Sequence, residues 1–114
     1  MPPKRNPLNL NPLQLKTLTL LQELARLDGQ PAPDAPAGHV LVTDMPRPHG
    51  DHFHLGDSVV ASRDASGLAN QGAWAALERK GLIKAMFPDA AVLTLDGLAY
   101  DTGLREQILH RGHH

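Results

Sequence analysis

The sequence predicts a single domain of the α+β class, and three observations support that prediction. A run of apolar residues at helical spacing begins at "NPLQL", residues 11–15. Segments with strand character follow at residues 39–43 and 52–55. Two short apolar segments between residues 83 and 95 are separated by a turn, as in a β-hairpin. At 114 residues the chain is long enough for one compact core and too short for two.

The first helix has a well-marked start. Asn11 stands at the N-cap position, Pro12 takes the first helical position, where no N–H is needed, and Gln14 stands at the capping-box position. Leucines then recur at three- and four-residue spacing until the dipeptide "DG" ends the pattern. We therefore expect residues 1–10 to form an N-terminal arm and residues 11–111 to form the domain.

The next stretch combines a loop with strands. Residues 29–38 hold three prolines and two glycines and predict a long inserted loop, and "HVLVT" after it predicts a short strand. In "HFHL", residues 52–55, period two places both histidines on one face and both apolar residues on the other. The following "SVVASRDAS" fits either a short helix capped by Asp57 or a continued strand, and we favour the helix.

The second half of the chain predicts a helix, a hairpin and a closing helix. Asn70 is the expected N-cap of a helix in "GLANQGAWAALERKGLI", and Gly81 follows its last turn. "IKAM" and "AVLTL" form the expected hairpin, and residues 96–111 the closing helix. This order of elements is the plan of a winged helix-turn-helix. The spacing predicts one shared core containing Leu18, Leu21, Trp74, Leu77, Leu82 and Leu93.

The segment "LERKGLIKAMFPDAAVLTLDG", residues 77–97, resembles part of the MarR-like regulators. In that family a recognition helix ends at Leu-Glu-x-x-Gly-Leu-Ile, a wing follows, and Leu-Thr-x-x-Gly opens the next helix. The matching residues are Leu77, Glu78, Gly81, Leu82, Ile83, Leu93, Thr94 and Gly97. The resemblance covers 21 of the 114 residues closely, and it implies a winged-helix DNA-binding protein that regulates transcription.

The resemblance also implies where DNA would bind. The helix from about residue 70 to residue 80 would face the duplex, with basic side chains on phosphates and polar ones toward the bases. The predicted DNA-binding residues are Lys4, Arg5, Arg63, Asn70, Gln71, Arg79, Lys80 and Lys84. Two features depart from DNA-binding relatives: the wing tip "MFPDAA" carries Asp89 and no basic residue, and few long polar side chains line the helix.

The charge leaves an alternative open. The formal net charge is −1, whereas a protein that depends on phosphate contacts usually has a basic excess. The alternative is a winged-helix module that binds another protein and no DNA, which the alanine-rich helix and the apolar "MF" of the wing tip favour. A homodimer is one of the assemblies that the sequence leaves open.

A metal site is the third hypothesis. "RPHGDHFHLGD", residues 47–57, contains four candidate ligands, His49, Asp51, His52 and His54. Alternating histidines arise readily on an exposed strand, so the pattern favours a polar turn and strand over a metal site. A His-based metal-responsive protein therefore ranks third among the functions.

Other functional classes are disfavoured. The chain has no cysteine, which excludes thiolate metal sites and thiol catalysis. It contains no glycine-rich phosphate loop, nucleophile elbow or H-E-x-x-H motif, so we expect neither an enzyme nor a cofactor. No segment approaches the roughly 18 apolar residues of a membrane helix, so we expect a cytoplasmic protein without a membrane partner.

Overall fold

The structure is a computed structural model, and it describes residues 6–46 and 50–111. The first half of the chain comprises α1 (Pro12–Asp28), β1 (Gln30–Pro31), β2 (Val40–Val42), β3 (His52–Leu55), β4 (Ser58–Ala61) and a 3₁₀-helix (Ser62–Ala69). The second half comprises α2 (Gln71–Arg79), β5 (Ile83–Met86), β6 (Ala90–Leu93), α3 (Leu95–Ala99), α4 (Arg105–Ile108) and β7 (His110–Arg111). The class is α+β, as the sequence predicts.

The strands form two antiparallel sheets. The four-stranded sheet has the order β1-β2-β6-β5, and the three-stranded sheet has the order β3-β4-β7. In the first sheet Leu93 of β6 lies opposite Val40 of β2 on one side and Ile83 of β5 on the other. Strand β2 therefore pairs directly with the β5–β6 hairpin. The predicted hairpin is confirmed. The proline-rich insertion contributes β1, which is an edge strand of the four-stranded sheet.

One buried cluster joins both sheets to the helices. Phe53, Leu55 and Val60 from the three-stranded sheet belong to the same cluster as Ile83 and Leu93 from the four-stranded sheet. All six residues predicted for a shared core are buried in it. The α1 cap is also confirmed, since the Asn11 side chain accepts from the N–H of Gln14 and the Gln14 side chain accepts from the N–H of Asn11.

Two expectations about secondary structure are wrong. Residues 58–61 form a strand rather than the favoured helix, because Val60 is buried opposite Phe53 in the ladder and helical geometry begins only at Ser62. The closing helix is interrupted and reduced to α3 and α4. Between them the Asp101 side chain accepts from the N–H of Gly103 at 3.0 Å, and Gly103 has a φ of 71°, a geometry that stops a helix.

The part of the predicted N-terminal arm that the structure describes packs against the domain. Leu10 is buried, and its N–H donates to the Asn6 side chain at 3.0 Å. The Asn6 amide in turn donates to the carbonyl of Leu10 at 2.8 Å. Across residues 6–46 and 50–111, none of the helices has both the length and the apolar character needed to cross a membrane.

Candidate nucleic-acid interface

Helix α2 is fixed by a cap at its start and by an aromatic anchor on its inner face. The Asn70 side chain accepts from the N–H of Ala73 at 3.0 Å, as predicted for an N-cap. Trp74 is fully buried, and its indole N–H donates to the carbonyl of Gly67 at 3.1 Å. The helix therefore exposes a narrow polar face made of Gln71, Gly72, Glu78 and Arg79.

The turn from α2 into β5 is held by side-chain hydrogen bonds. Gly81 has a φ of 78°, the left-handed conformation predicted for it. The Thr94 hydroxyl lies 2.7 Å from the carbonyl of Gly81 and accepts from the N–H of Gly97 at 3.0 Å. The Glu78 carboxylate accepts from the N–H of Ala85 at 3.3 Å. These contacts fix the end of α2 against the first strand of the hairpin.

The seven basic side chains that the structure describes divide into two groups. Lys16 forms a salt bridge with Asp64 at 2.8 Å, and Arg26 and Arg105 both bind the carboxylate of Glu23. Within the described residues, no acidic partner lies within salt-bridge distance of the other group, Arg63, Arg79, Lys80 and Lys84. All four are exposed. The described cations that were predicted to contact phosphates are thus the ones without a described acidic partner.

Three of these four cations lie around one turn of the chain. Arg79 ends α2, Lys80 follows it, and Lys84 points to solvent from β5 between the buried Ile83 and the half-buried Ala85. We call Arg79, Lys80 and Lys84 the basic turn. Arg63 lies apart, in the first turn of the 3₁₀-helix, and Lys4 and Arg5 lie outside the described residues.

Two of the predicted residues make backbone contacts within the protein. The side-chain oxygen of Asn70 serves the helix cap, which leaves its amide N–H₂ for an outside partner. The Lys80 ammonium donates to the carbonyl of Leu8 at 2.6 Å and so attaches the N-terminal segment to the basic turn. Gln71, by contrast, is an exposed long polar side chain in the first turn of α2.

The turn between β5 and β6, which the sequence predicts as a wing tip, combines an anchor with an acidic groove. The ring of Phe87 is half-buried and packs edge-to-face on Trp74, with 5.1 Å between ring centroids. An open groove of about 1000 Å³ separates the tip from the 3₁₀-helix, and its described lining contains Asp44 and Asp89 and no basic residue. The two carboxylates disfavour phosphate in this groove, whereas the basic turn lies on α2 and β5.

The predicted metal candidates are only partly described. His52 and His54 are exposed on one face of β3 while Phe53 and Leu55 are buried on the other, which confirms the predicted alternation. Asp51 is exposed in the preceding turn, and His49 lies outside the described residues. Among residues 6–46 and 50–111, no group of three or more histidine and carboxylate side chains is placed to hold one metal ion.

No motif in the sequence marks the buried carboxylate on α1. Glu23 is 1% exposed and accepts hydrogen bonds from both Arg26 and Arg105. The hydrogen bond from Arg26 is the largest cause that lowers the pKa of Glu23, and it outweighs the opposing effect of burial. Arg26 lies three residues away, a spacing visible in the sequence, but Arg105 is brought to Glu23 only by the fold.

Comparisons with known proteins leave this geometry as the sole guide to function. No family model, curated protein sequence or solved structure matches the chain.

Proposed function

We propose that the chain is a winged helix-turn-helix protein that binds double-stranded DNA and regulates transcription, as its resemblance to MarR-like regulators implies. The order of α1, β2, the 3₁₀-helix, α2 and the β5–β6 hairpin supports the fold. The pairing of β2 with β6 also supports the fold, because it joins β2 to the β5–β6 hairpin, the proposed wing. The β3–β4 hairpin is then an insertion between β2 and the 3₁₀-helix.

The observation that carries the proposal is the division of the basic residues. A cation already bound to a carboxylate has less charge to offer a phosphate, because the two interactions compete. Lys16, Arg26 and Arg105 are bound in this way, whereas the basic turn and Arg63 are exposed and without a described acidic partner. Three of the four exposed cations without a described acidic partner thus lie on α2, on β5 or between them, although the net charge is −1.

The proposed interaction depends mainly on phosphates. The basic turn lies at the C-terminal end of α2 and the start of the wing, where it can contact one backbone strand while the first turn of α2 faces a groove. Gln71 is the exposed side chain best suited to a base edge, because the oxygen of Asn70 is used in the cap. We therefore expect modest affinity, on the order of 10⁻⁴ to 10⁻⁶ M, and strong salt dependence.

The test is a titration of a labelled duplex at about 50 and 200 mM salt, read by fluorescence anisotropy. Replacing Arg79 and Lys84 together by Gln should weaken binding to every sequence. It should also reduce the slope of log K against log salt by about 1 to 2, because up to two phosphate contacts are lost. Lys80 is left intact in this variant because its contact with Leu8 also holds the N-terminal segment.

The matched control replaces Lys16 and Arg26 by Gln, which removes the same charge from cations that already have partners. This variant should bind DNA nearly as well as the unaltered protein, once circular dichroism has shown that it is folded. Equal losses in both variants would show that only net charge matters. Absence of binding by the unaltered protein at the lower salt concentration would refute the DNA-binding proposal.

Replacing Gln71 by Ala tests base reading separately. If the side chain contacts a base, the variant should lose about 1 to 3 kcal/mol on preferred sequences and little on others. A selection for preferred duplexes, followed by competition against random DNA, measures this difference. An equal loss on all sequences would assign Gln71 to the backbone instead.

A specific observation also favours the alternative, a protein-interaction module. Met86 on β5 is 43% exposed, and Leu95 at the start of α3 is 55% exposed. Large apolar side chains at the surface commonly mark protein contacts. Met86→Lys tests this reading more cleanly than a change at Phe87, which packs on Trp74. Loss of self-association in sedimentation experiments, with DNA binding absent throughout, would favour the module.

A further inference from the structure

The three-stranded sheet collects histidines from distant parts of the chain. Six of the seven histidines fall in two short segments, and these are His49, His52, His54, His110, His113 and His114. The sheet order β3-β4-β7 brings β3, which holds His52 and His54, and β7, which holds His110, into one sheet. Of the six histidines, the structure describes these three.

These three histidines share the exposed face of the sheet. His54 lies opposite Val59, and Val59 lies opposite His110 on the next strand. Residues directly opposite in an antiparallel pair point to the same face, so His54 and His110 lie in one row across the sheet. His52 lies on the same face as His54 because it is two residues away in the same strand. All three side chains are exposed.

The rings of His52 and His54 are at the separation that a shared metal ion requires. Their centroids are 5.9 Å apart, and their planes meet at 73°. With metal–nitrogen bonds of about 2.0 to 2.1 Å, two imidazoles on one ion place their ring centroids about 5 to 6 Å apart. The backbone of β3 is held by its ladder with β4, and Phe53 and Leu55 are buried behind it, so both ligands are presented from a fixed strand.

We propose that the outer face of the three-stranded sheet binds a late first-row divalent ion, such as Cu²⁺, Ni²⁺ or Zn²⁺, through His52 and His54. Imidazole ligands select these ions over Mg²⁺ and Ca²⁺, which prefer oxygen. Water completes the coordination. His110 is two strand spacings from His54, roughly 9 to 10 Å, and the proposed site does not use it.

A site with two protein ligands is open and exchangeable. The remaining positions are available to solvent or to a ligand from another molecule, as in catalytic rather than structural zinc sites. The imidazoles must be deprotonated to coordinate, so the ion is released on acidification. This inference does not depend on DNA binding, because the site lies on the three-stranded sheet and the basic turn lies beside the four-stranded one.

The experiment is a calorimetric titration of the full chain with Ni²⁺ at pH 7.5. It is carried out in a background with His113→Ala and His114→Ala, since these residues lie outside the described part. We expect saturable binding of one ion, no binding of Mg²⁺, and release of Ni²⁺ at pH 5. Adding His52→Ala and His54→Ala should weaken the affinity at least about tenfold. His39→Ala, which removes a histidine outside both segments, is the matched control and should change nothing.

A second measurement locates the ion without altering the ligands. Paramagnetic Ni²⁺ should broaden the amide resonances of Val59 and Ala61, which lie opposite His54 and His52, more than that of Val92 in the other sheet. Unchanged affinity in the double variant, broadening centred elsewhere, or binding that disappears with His113 and His114 alone would each overturn the proposal.

Discussion

The two sheets of the molecule are attached to the core in different ways. The four-stranded sheet is held by hydrogen bonds between side chains and the backbone. The Thr94 hydroxyl donates to the carbonyls of Gly81 and Leu82, and the Glu78 carboxylate accepts from the N–H of Ala85. In the three-stranded sheet, the described side chains of β3 and β4 make no such hydrogen bond, and attachment depends on strand pairing and on Phe53, Leu55 and Val60.

The difference matters because each sheet supports a different proposed site. Arg and Lys keep their charge at every physiological pH, so sites near the four-stranded sheet should respond to salt. Protons compete with a metal ion for the imidazole nitrogens, so a site on the three-stranded sheet should respond to acid. A rigid attachment suits the basic turn, where several cations must match the spacing of phosphates, while two histidines on one strand need only the strand itself.

The largest expected effect tests whether the two sheets unfold together. Leu77 is fully buried in the cluster that both sheets share, so Leu77→Ala should cost about 2 to 5 kcal/mol in the free energy of unfolding. Urea unfolding followed by circular dichroism and by Trp74 fluorescence should give coincident transitions. Leu95→Ala, the same change at a residue that is 55% exposed, is the control and should have little effect. Separate transitions would mean that the sheets belong to independent units.

A smaller effect concerns the ion pair that attaches α4, and with it β7, to α1. Because the pKa of Glu23 is lowered in the fold, its stabilising contribution is present above the ordinary pKa of the carboxyl group and disappears as the pH falls through the lowered value. Glu23→Gln should cost about 1.5 to 3 kcal/mol at pH 7, toward the lower end because both arginine side chains are more than half exposed.

The measurement is urea unfolding of both proteins at pH 7 and at strongly acidic pH. The difference between Glu23→Gln and the unaltered protein should shrink on acidification, since the carboxyl group of the unaltered protein is then neutral as well. Glu106→Gln changes an exposed carboxylate on α4 and serves as the control. If the difference in the free energy of unfolding between the two proteins did not depend on pH, Glu23 would stabilise the fold by its packing rather than by its charge.

The smallest expected effect tests the attachment of the β5–β6 hairpin. Thr94→Val removes the hydroxyl that contacts Gly81 and caps α3, and it should cost about 1 kcal/mol. Thr94→Ser keeps the hydroxyl and should restore most of the loss. Hydrogen exchange should show faster opening of β5 and β6 in the valine variant, with β3 and β4 unaffected. Faster exchange in both sheets would contradict the difference in attachment.

Much of the α2–wing region could be predicted from the sequence. Asn70, Gly81 and Thr94 each perform the capping or turn role that their residue type and position indicate. The sequence also places the residues of the basic turn close together in the chain, but it does not show that they lack a described acidic partner. The pairing of Lys16 with Asp64 and of Arg105 with Glu23 joins residues far apart in the chain, and no local pattern specifies it.

What the sequence determined by itself is the set of elements whose signals are local: the capped helix α1, the alternation of β3, the helix α2 and the β5–β6 hairpin. The tertiary structure alone decided that residues 58–61 are a strand, that β7 joins β3 and β4, and that His110 shares a face with His54. Caps and periodicity act over a few residues, whereas a strand is fixed by partners that folding brings from elsewhere in the chain.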